Sequence, residues 1–257
     1  MTPLDSSTFS NKYCVFVQKT GQGHYGYVQE YRYKDSKTDE RIAVKCIKKS
    51  QVNNVDILRR DIATLKDIKH PNIIQVFEMY EDDEYVYVVT EFCKGGQLFD
   101  RIGQLSEKDI ATIIRCILDA IAYCHDTKDI IHRDLKPENI LFKKSSNNTS
   151  IKIIDFGLAP HCEQNFDVFK SKEGFPYYTA PESWGGEYHK CSDLWPIGVI
   201  TYTLLCGYPP FYADSEHLIL ESVMSGQFDV SSPIWDDISD AAKDFVCRLL
   251  ELDPQER

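Results

Sequence analysis

Apolar and polar positions alternate in short runs through the first third of the chain. "YGYVQEYRY" (25–33), "RIAVKCI" (41–47) and "EYVYVVTEF" (84–92) are rich in Val, Ile and Tyr and are separated by polar clusters such as "KDSKTDE" and "EDDE", the pattern of β-strands bounded by turns. One stretch, Val55–Lys66, instead carries Val55, Ile57, Leu58, Ile62 and Leu65 at mostly helical spacing. The front of the chain therefore predicts a small sheet with one helix.

After "KGG" at 94–96 the period changes. Ser106 followed by Asp109 reads as a capping box, and Ile110, Ile113, Ile114, Ile117, Leu118 and Ile121 then form one apolar helix face. A second helix is expected from near Ser192 through "VITYTLLC" to a stop at Gly207. Its apolar stretch at 197–206 is shorter than the ~20 residues of a membrane span, so it reads as a buried helix. Residues 239–254 give an amphipathic helix ended by Pro254, and "NILF" and "IKIID" flank the polar "KKSSNNTS" as a strand hairpin. No internal repeat or low-complexity tract interrupts this order. A strand-rich front and a helix-rich back, joined near 91–95, predict an α+β chain of two lobes, and ligand sites favour such junctions.

Composition narrows the function. The 257 residues are 42% hydrophobic, with a formal net charge of -11, so the surplus of Lys and Arg that nucleic acid demands is missing. A basic peptide or protein suits that charge better. The nine cysteines are scattered without a CxxC pair, which argues against a zinc site or disulfide framework and for a reducing compartment, cytoplasm or nucleus. The opening "MTPLDSSTFSNKYCVF" has no apolar core of a signal peptide, and Thr2 stands where myristoylation needs Gly. No membrane association is expected.

The chemistry-bearing motifs begin with Gly21, Gly23 and Gly26 in "TGQGHYGYV". Dinucleotide-binding turns share that spacing but lead into a helix, whereas "YVQEYRY" continues as a strand, and no Gly-Lys-Ser/Thr follows. By itself the segment also reads as a flexible hairpin. Lys45 in "RIAVKCI" points to the opposite strand face from Val44 and Cys46, and alone it reads as a solvated lysine. "HRDLKPEN" at 132–139, "DFG" at 155–157 and "APE" at 180–182 then follow in order. Together these motifs resemble the catalytic domain of eukaryotic protein kinases, over residues 13–257 and with residues 1–12 as an N-terminal extension.

That resemblance implies a bilobal protein-kinase-like fold, with a small antiparallel-sheet lobe of about 13–92 and a larger helical lobe of 93–257. It implies ATP and Mg2+ as cofactors. Thr20, Gly21, Gly23, Gly26, Val28 and Ala43 would line the nucleotide, Thr90 would stand as gatekeeper, and Glu91 and Cys93 would offer backbone groups to adenine. Lys45 would hold the α and β phosphates, and Asn139 and Asp155 would bind the metal. Asp134 would receive the substrate hydroxyl proton, and Lys136 would steady the γ phosphate. Lys136 resembles the Ser/Thr type, since tyrosine kinases usually differ there. "HPNII", "GGQLFDRI" and "CGYPPFYAD" look most like the calcium/calmodulin-dependent group, including calcium-dependent protein kinases. Protein substrates with basic residues near the target Ser or Thr are implied.

Four positions depart from the family pattern. Asp61 stands where a Glu pairs with Lys45, and its shorter side chain predicts a weakened ion pair, or a merely solvated carboxylate. Phe175 replaces a Thr that braces the catalytic Asp and Lys. Gln97 replaces a Glu that reads an Arg in the substrate, although Glu138 and Glu221 stay acidic. Pro196 sits early in a core helix, where few backbone donors have partners. Arg133 is expected as a buried Arg that gains a partner when Ser171 is phosphorylated, by an activating kinase or by the chain itself. Arg257 fits the position that pairs with Glu182. The expected function is a Ser/Thr protein kinase; the alternative is a pseudokinase scaffold, which Asp61 and Phe175 favour.

Overall fold

The computed structural model describes residues 4–23, 26–35, 40–146, 148–155, 176–186 and 188–257. They divide between Lys94 and Gly95 into two compact units.

In the first unit the strands are β1 (Leu4–Asp5), β2 (Tyr13–Gly23), β3 (Gly26–Tyr33), β4 (Arg41–Lys48), β5 (Val76–Glu81) and β6 (Tyr85–Glu91). They form one sheet in the order β1-β5-β6-β4-β3-β2. Every pair is antiparallel except the two-residue β1, which runs parallel to β5. The expected antiparallel sheet is thus present, with one short parallel strand added at its edge. Strand alternation sorts the side chains into two faces. Residues directly opposite in the register share a face, so Val28, Lys45 and Val88 form one row and Glu30, Ala43 and Thr90 the next. The other face carries Tyr31 with Ile42, Val44 with Val89, and Tyr27, Cys46 and Tyr87.

Helix α1 (Ser6–Lys12) joins β1 to β2, and α2 (Val55–Lys66) lies between β4 and β5. Asn54 caps α2 by accepting the N–H groups of Asp56 and Ile57 at 3.0 and 3.1 Å, which satisfies two of the donors that a helix start leaves over. Leu58, Ile62 and Leu65 are its buried stripe. Arg59 makes a two-pronged bond to Glu81 at 3.0 and 3.1 Å, tying α2 to β5.

The second unit begins at "KGG". A Cβ on Gly95 would collide with Phe142, and Gly96 has φ +78°, so both positions require glycine. Helix α3 (Glu107–Tyr123) starts at the expected cap: the Ser106 hydroxyl accepts from the Asp109 N–H at 3.2 Å and donates to the Asp109 carboxylate at 2.8 Å. It buries Ile110, Ile113, Ile114, Ile117, Ala120 and Ile121, then widens into a π turn over Cys124–Lys128. β7 (Ile140–Phe142) and β8 (Ile151–Ile153) form the predicted hairpin. α4 (Leu194–Cys206) is apolar on every side and almost wholly buried. It starts after Ser192 because Lys190–Asp193 forms a 3-10 turn. Pro196 lies in its first turn, where a missing N–H costs no intrahelical bond.

Helices α5 (Glu216–Ser225) and α6 (Asp240–Leu249) complete the unit. α6 ends at Leu249, earlier than the expected stop at Pro254. The carbonyls of Glu251 and Leu252 are taken by the Arg257 guanidinium at 3.0 and 3.4 Å, so they serve a side chain instead of a further helical turn. The core of the unit is aromatic, with Trp195 stacked on Phe211 at 5.4 Å and Tyr202 against Trp235 at 4.8 Å. Among the described residues no helix is long and apolar enough to cross a membrane.

Candidate active site

The segment "IIHRDLKPENIL" is held by one carboxylate. Asp193, 2% exposed, accepts the backbone N–H of His132 at 2.8 Å and of Arg133 at 2.9 Å, and it pairs with His125 Nε2 at 2.8 Å. Arg133 is left-handed at φ +69°, a conformation that a non-glycine residue keeps only where its surroundings fix it. The two bonds to Asp193 fix it here. Sequence reading singled out neither Asp193 nor His125. The available signal was an Asp directly ahead of a wholly apolar helix, together with a His at the end of another.

His132 is fully buried, and desolvation pushes its pKa below the ordinary 6.5 despite the nearby carboxylates of Asp193, Asp134 and Asp155. Its hydrogen bonds fit the neutral ring: Nε2 donates to the Ile154 carbonyl at 3.0 Å, and Nδ1 accepts from the Asp134 N–H at 3.3 Å. The ring thus links the loop to the end of β8.

Asp134, Lys136 and Asn139 come together. Asn139 Nδ2 donates to the Asp134 carbonyl at 2.7 Å and to its carboxylate at 2.9 Å. Lys136 Nζ lies 3.1 Å from the same carboxylate oxygen. Asn139 is itself buried, and its backbone accepts from the Ile154 N–H at 2.9 Å, which sets Asp155 beside it. Asp155 also has positive φ, +63°. Because Asn139 turns its amide nitrogen toward Asp134, its amide oxygen is the atom left for a cation. With the Asp155 carboxylate this makes an oxygen donor set, the chemistry that Mg2+ prefers.

In the first unit, Val28, Ala43, Lys45 and Thr90 share one sheet face, and Gly21 lies opposite Val28 in β2. Lys45 points away from the buried Val44 and Cys46, as the alternation predicts. Thr20 and Gly23 lie in β2, and Gly23 pairs with Gly26. Gly26 has a structural reason of its own: a Cβ there would run into the Cys46 carbonyl. The glycine lets β3 approach β4. Thr90 Oγ1 lies 3.2 Å from the Glu91 carbonyl, and the Glu91 carboxylate accepts from the Gln75 N–H at 2.8 Å. Cys93 is half-buried just after β6. Asp61 is half-buried on α2.

Further expected residues scatter. Glu182 and Arg257 meet as foreseen, through two bonds of 2.9 and 3.2 Å, and Ser192 adds a third donor at 3.0 Å. Glu138 lies within the His132–Asn139 loop, whereas Gln97 is exposed beside Gly96 and Glu221 is exposed on α5. Arg133 is exposed, not buried, with its guanidinium 5.5 Å from the Tyr188 ring. The core holds its backbone and leaves its side chain outside. Phe156, Gly157, Ser171 and Phe175 lie outside the described residues. None of the described cysteines is in a disulfide, and burial raises the thiols of Cys46 and Cys206 to about 11 and that of Cys124 to about 12.

Comparison with known proteins follows the same lines. The protein kinase domain family matches residues 14–257. Calcium-dependent protein kinase 5 of Plasmodium berghei (strain Anka) is 47% identical over 257 residues, which is 99% of this chain and 45% of that protein. Calcium/calmodulin-dependent protein kinase type 1 of Caenorhabditis briggsae is 40% identical over 263 residues, 100% of this chain and 72% of that protein. The crystal structure of Rad53 1-466 in complex with AMP-PNP is similar with a TM-score of 0.82 at 32% identity, covering 97% of this chain and 63% of that one. The chain spans less than half the length of its Plasmodium relatives, 44–46%. With a match over nearly its whole length and the ordered loop from His132 to Asn139, the chain belongs to the protein kinase domain family.

Proposed function

We propose that the chain is the catalytic domain of a Ser/Thr protein kinase that uses ATP and Mg2+. The observation that carries this reading is the bonded group of Asp134, Lys136 and Asn139 on a loop fixed from below by Asp193. Phosphoryl transfer needs positioning and charge compensation more than covalent help from the protein. The Asp134 carboxylate orients the substrate hydroxyl and takes its proton as the new O–P bond forms to the γ phosphorus. The bond from that phosphorus to the β–γ bridging oxygen breaks, and ADP leaves with the electron pair. Lys136, already beside Asp134, steadies the charge on the moving phosphoryl. Lys45 holds the α and β phosphates, while Val28, Ala43 and Thr90 present one sheet face to the nucleotide. Asn139 and Asp155 would hold Mg2+, which when bound neutralises phosphate charge.

A protein substrate with basic residues near the target hydroxyl fits the net charge of -11 and the acidic Glu138. Control by phosphorylation at Ser171, through an upstream kinase or the chain itself, and residence in the cytoplasm or nucleus belong to the same reading. The test is phosphate transfer from Mg-ATP to a basic peptide library, comparing wild type with Asp134→Asn. Transfer by wild type is expected to exceed the variant by at least about a hundredfold. Equal signals overturn the enzyme reading in favour of a scaffold.

A further inference from the structure

Residues 4–12 precede the span of the family match and yet are built into the sheet. β1 pairs with β5, and α1 crosses the sheet face opposite the one that bears Lys45. The helix is anchored by Phe9, 7% exposed, whereas Ser7, Thr8, Ser10, Asn11 and Lys12 are exposed. The Phe9 ring lies 5.2 to 5.3 Å from the rings of Tyr13, Tyr31, Tyr80 and Tyr87. Such spacing is that of attractive edge-to-face and offset pairs.

The socket does not need α1 to satisfy its own polar groups. Tyr31 donates to Gln29 at 3.0 Å, Tyr80 to Glu78 at 2.9 Å, Tyr87 to Asp82 at 2.6 Å and Tyr13 to Glu78 at 2.5 Å. Each hydroxyl is thus bonded to a residue of the sheet or of its β5–β6 turn. The helix adds peripheral ties, Lys12 Nζ to Glu78 at 2.6 Å and Lys34 Nζ to the Ser10 carbonyl at 2.5 Å. With its hydroxyls bonded within the sheet, the socket keeps those hydrogen bonds when an aromatic ring leaves and gains apolar burial when one enters. The ring also bears on the nucleotide face. Tyr31, Val44 and Tyr87 alternate along β3, β4 and β6 with the residues that face the other way, Val28, Lys45 and Thr90 among them. Filling the socket fixes the strands that present them.

We propose that these four tyrosines form a docking socket for an aromatic side chain, filled in cis by Phe9 of residues 4–12, and that its occupancy sets the affinity of the opposite face for ATP. The second half rests on the proposed kinase function. The first does not.

The test uses the full chain carrying Phe9→Ala and a synthetic peptide of residues 1–12. The variant is expected to lose amide-exchange protection in β5 and β6 and to melt about 5 °C or more below wild type. Its ATP dissociation constant, measured directly by calorimetry, should rise roughly threefold or more. Excess wild-type peptide should restore all three readouts, and the same peptide with Phe9→Ala should restore none. Should Phe9→Ala fail to fold, Phe9→Leu carries the same comparison with smaller shifts. Wild-type exchange and melting in the variant, or no rescue by the Phe-bearing peptide, overturn the socket. An unchanged ATP affinity alongside peptide rescue overturns the coupling. Loss of the kinase reading is distinguishable, because it appears as absent phosphate transfer in wild type while the exchange and melting arms keep their outcome.

Discussion

Asp193 shows how much of a loop's geometry can depend on one buried carboxylate. It receives two consecutive backbone N–H groups and a histidine ring. Asp193→Ala removes the acceptor that both N–H groups share, and breaking a buried charged contact of this kind costs about 3 to 5 kcal/mol. The left-handed Arg133 would then relax, and Asp134 would drift from Asn139 and Lys136. The expected outcome is a lower melting temperature together with a kcat reduced by at least about a hundredfold, since misplacement by an ångström is enough for that. Asp193→Asn keeps one acceptor and should fall between the two. A variant with normal kcat in single-turnover transfer would show that the loop is held some other way.

Among the elements, those with a clear period were legible in the sequence. β4 and the first half of β6 alternate buried and half-buried residues, and α3 has a capping Ser and a six-residue apolar stripe. α1 was not legible, because seven residues with one apolar anchor carry no periodicity. α5 buries only Val223, so its sequence has no face to betray it. The candidate catalytic residues were legible through ordered motifs, whereas Asp193 was not. Its partners lie 60 to 68 residues earlier in the chain, and no local pattern encodes that meeting. Gly26 was read as a phosphate-loop glycine, yet its Cβ would strike the Cys46 carbonyl. Gly26→Ala should therefore weaken the β3–β4 pairing even without nucleotide. A melting temperature lowered by several degrees in the absence of ATP is expected, and a defect seen only with ATP present would point back to the phosphates alone.

For the molecule as a whole, acid and salt probe two separate charge effects. Burial alone would raise the Glu182 pKa, but the Arg257 and Ser192 donors outweigh it and leave it below the usual value of 4.5. A carboxylate depressed on folding stabilises the folded state fully above its unfolded pKa, and that contribution is lost as pH falls below about 4.5 toward the folded value. Glu182→Gln should lower stability at neutral pH and flatten its dependence on pH below that point in denaturant titrations. Salt acts over longer distances. The excess of 40 acidic over 29 basic side chains gives an attractive field for a basic substrate that reaches beyond contact, and at 0.15 M salt such a field is screened within about 8 Å. Raising ionic strength should therefore increase KM for a basic peptide by roughly several-fold, while kcat and the KM for a neutral peptide stay nearly constant. Equal salt dependence for the two peptides would show that substrate recognition owes nothing to the acidity of the domain.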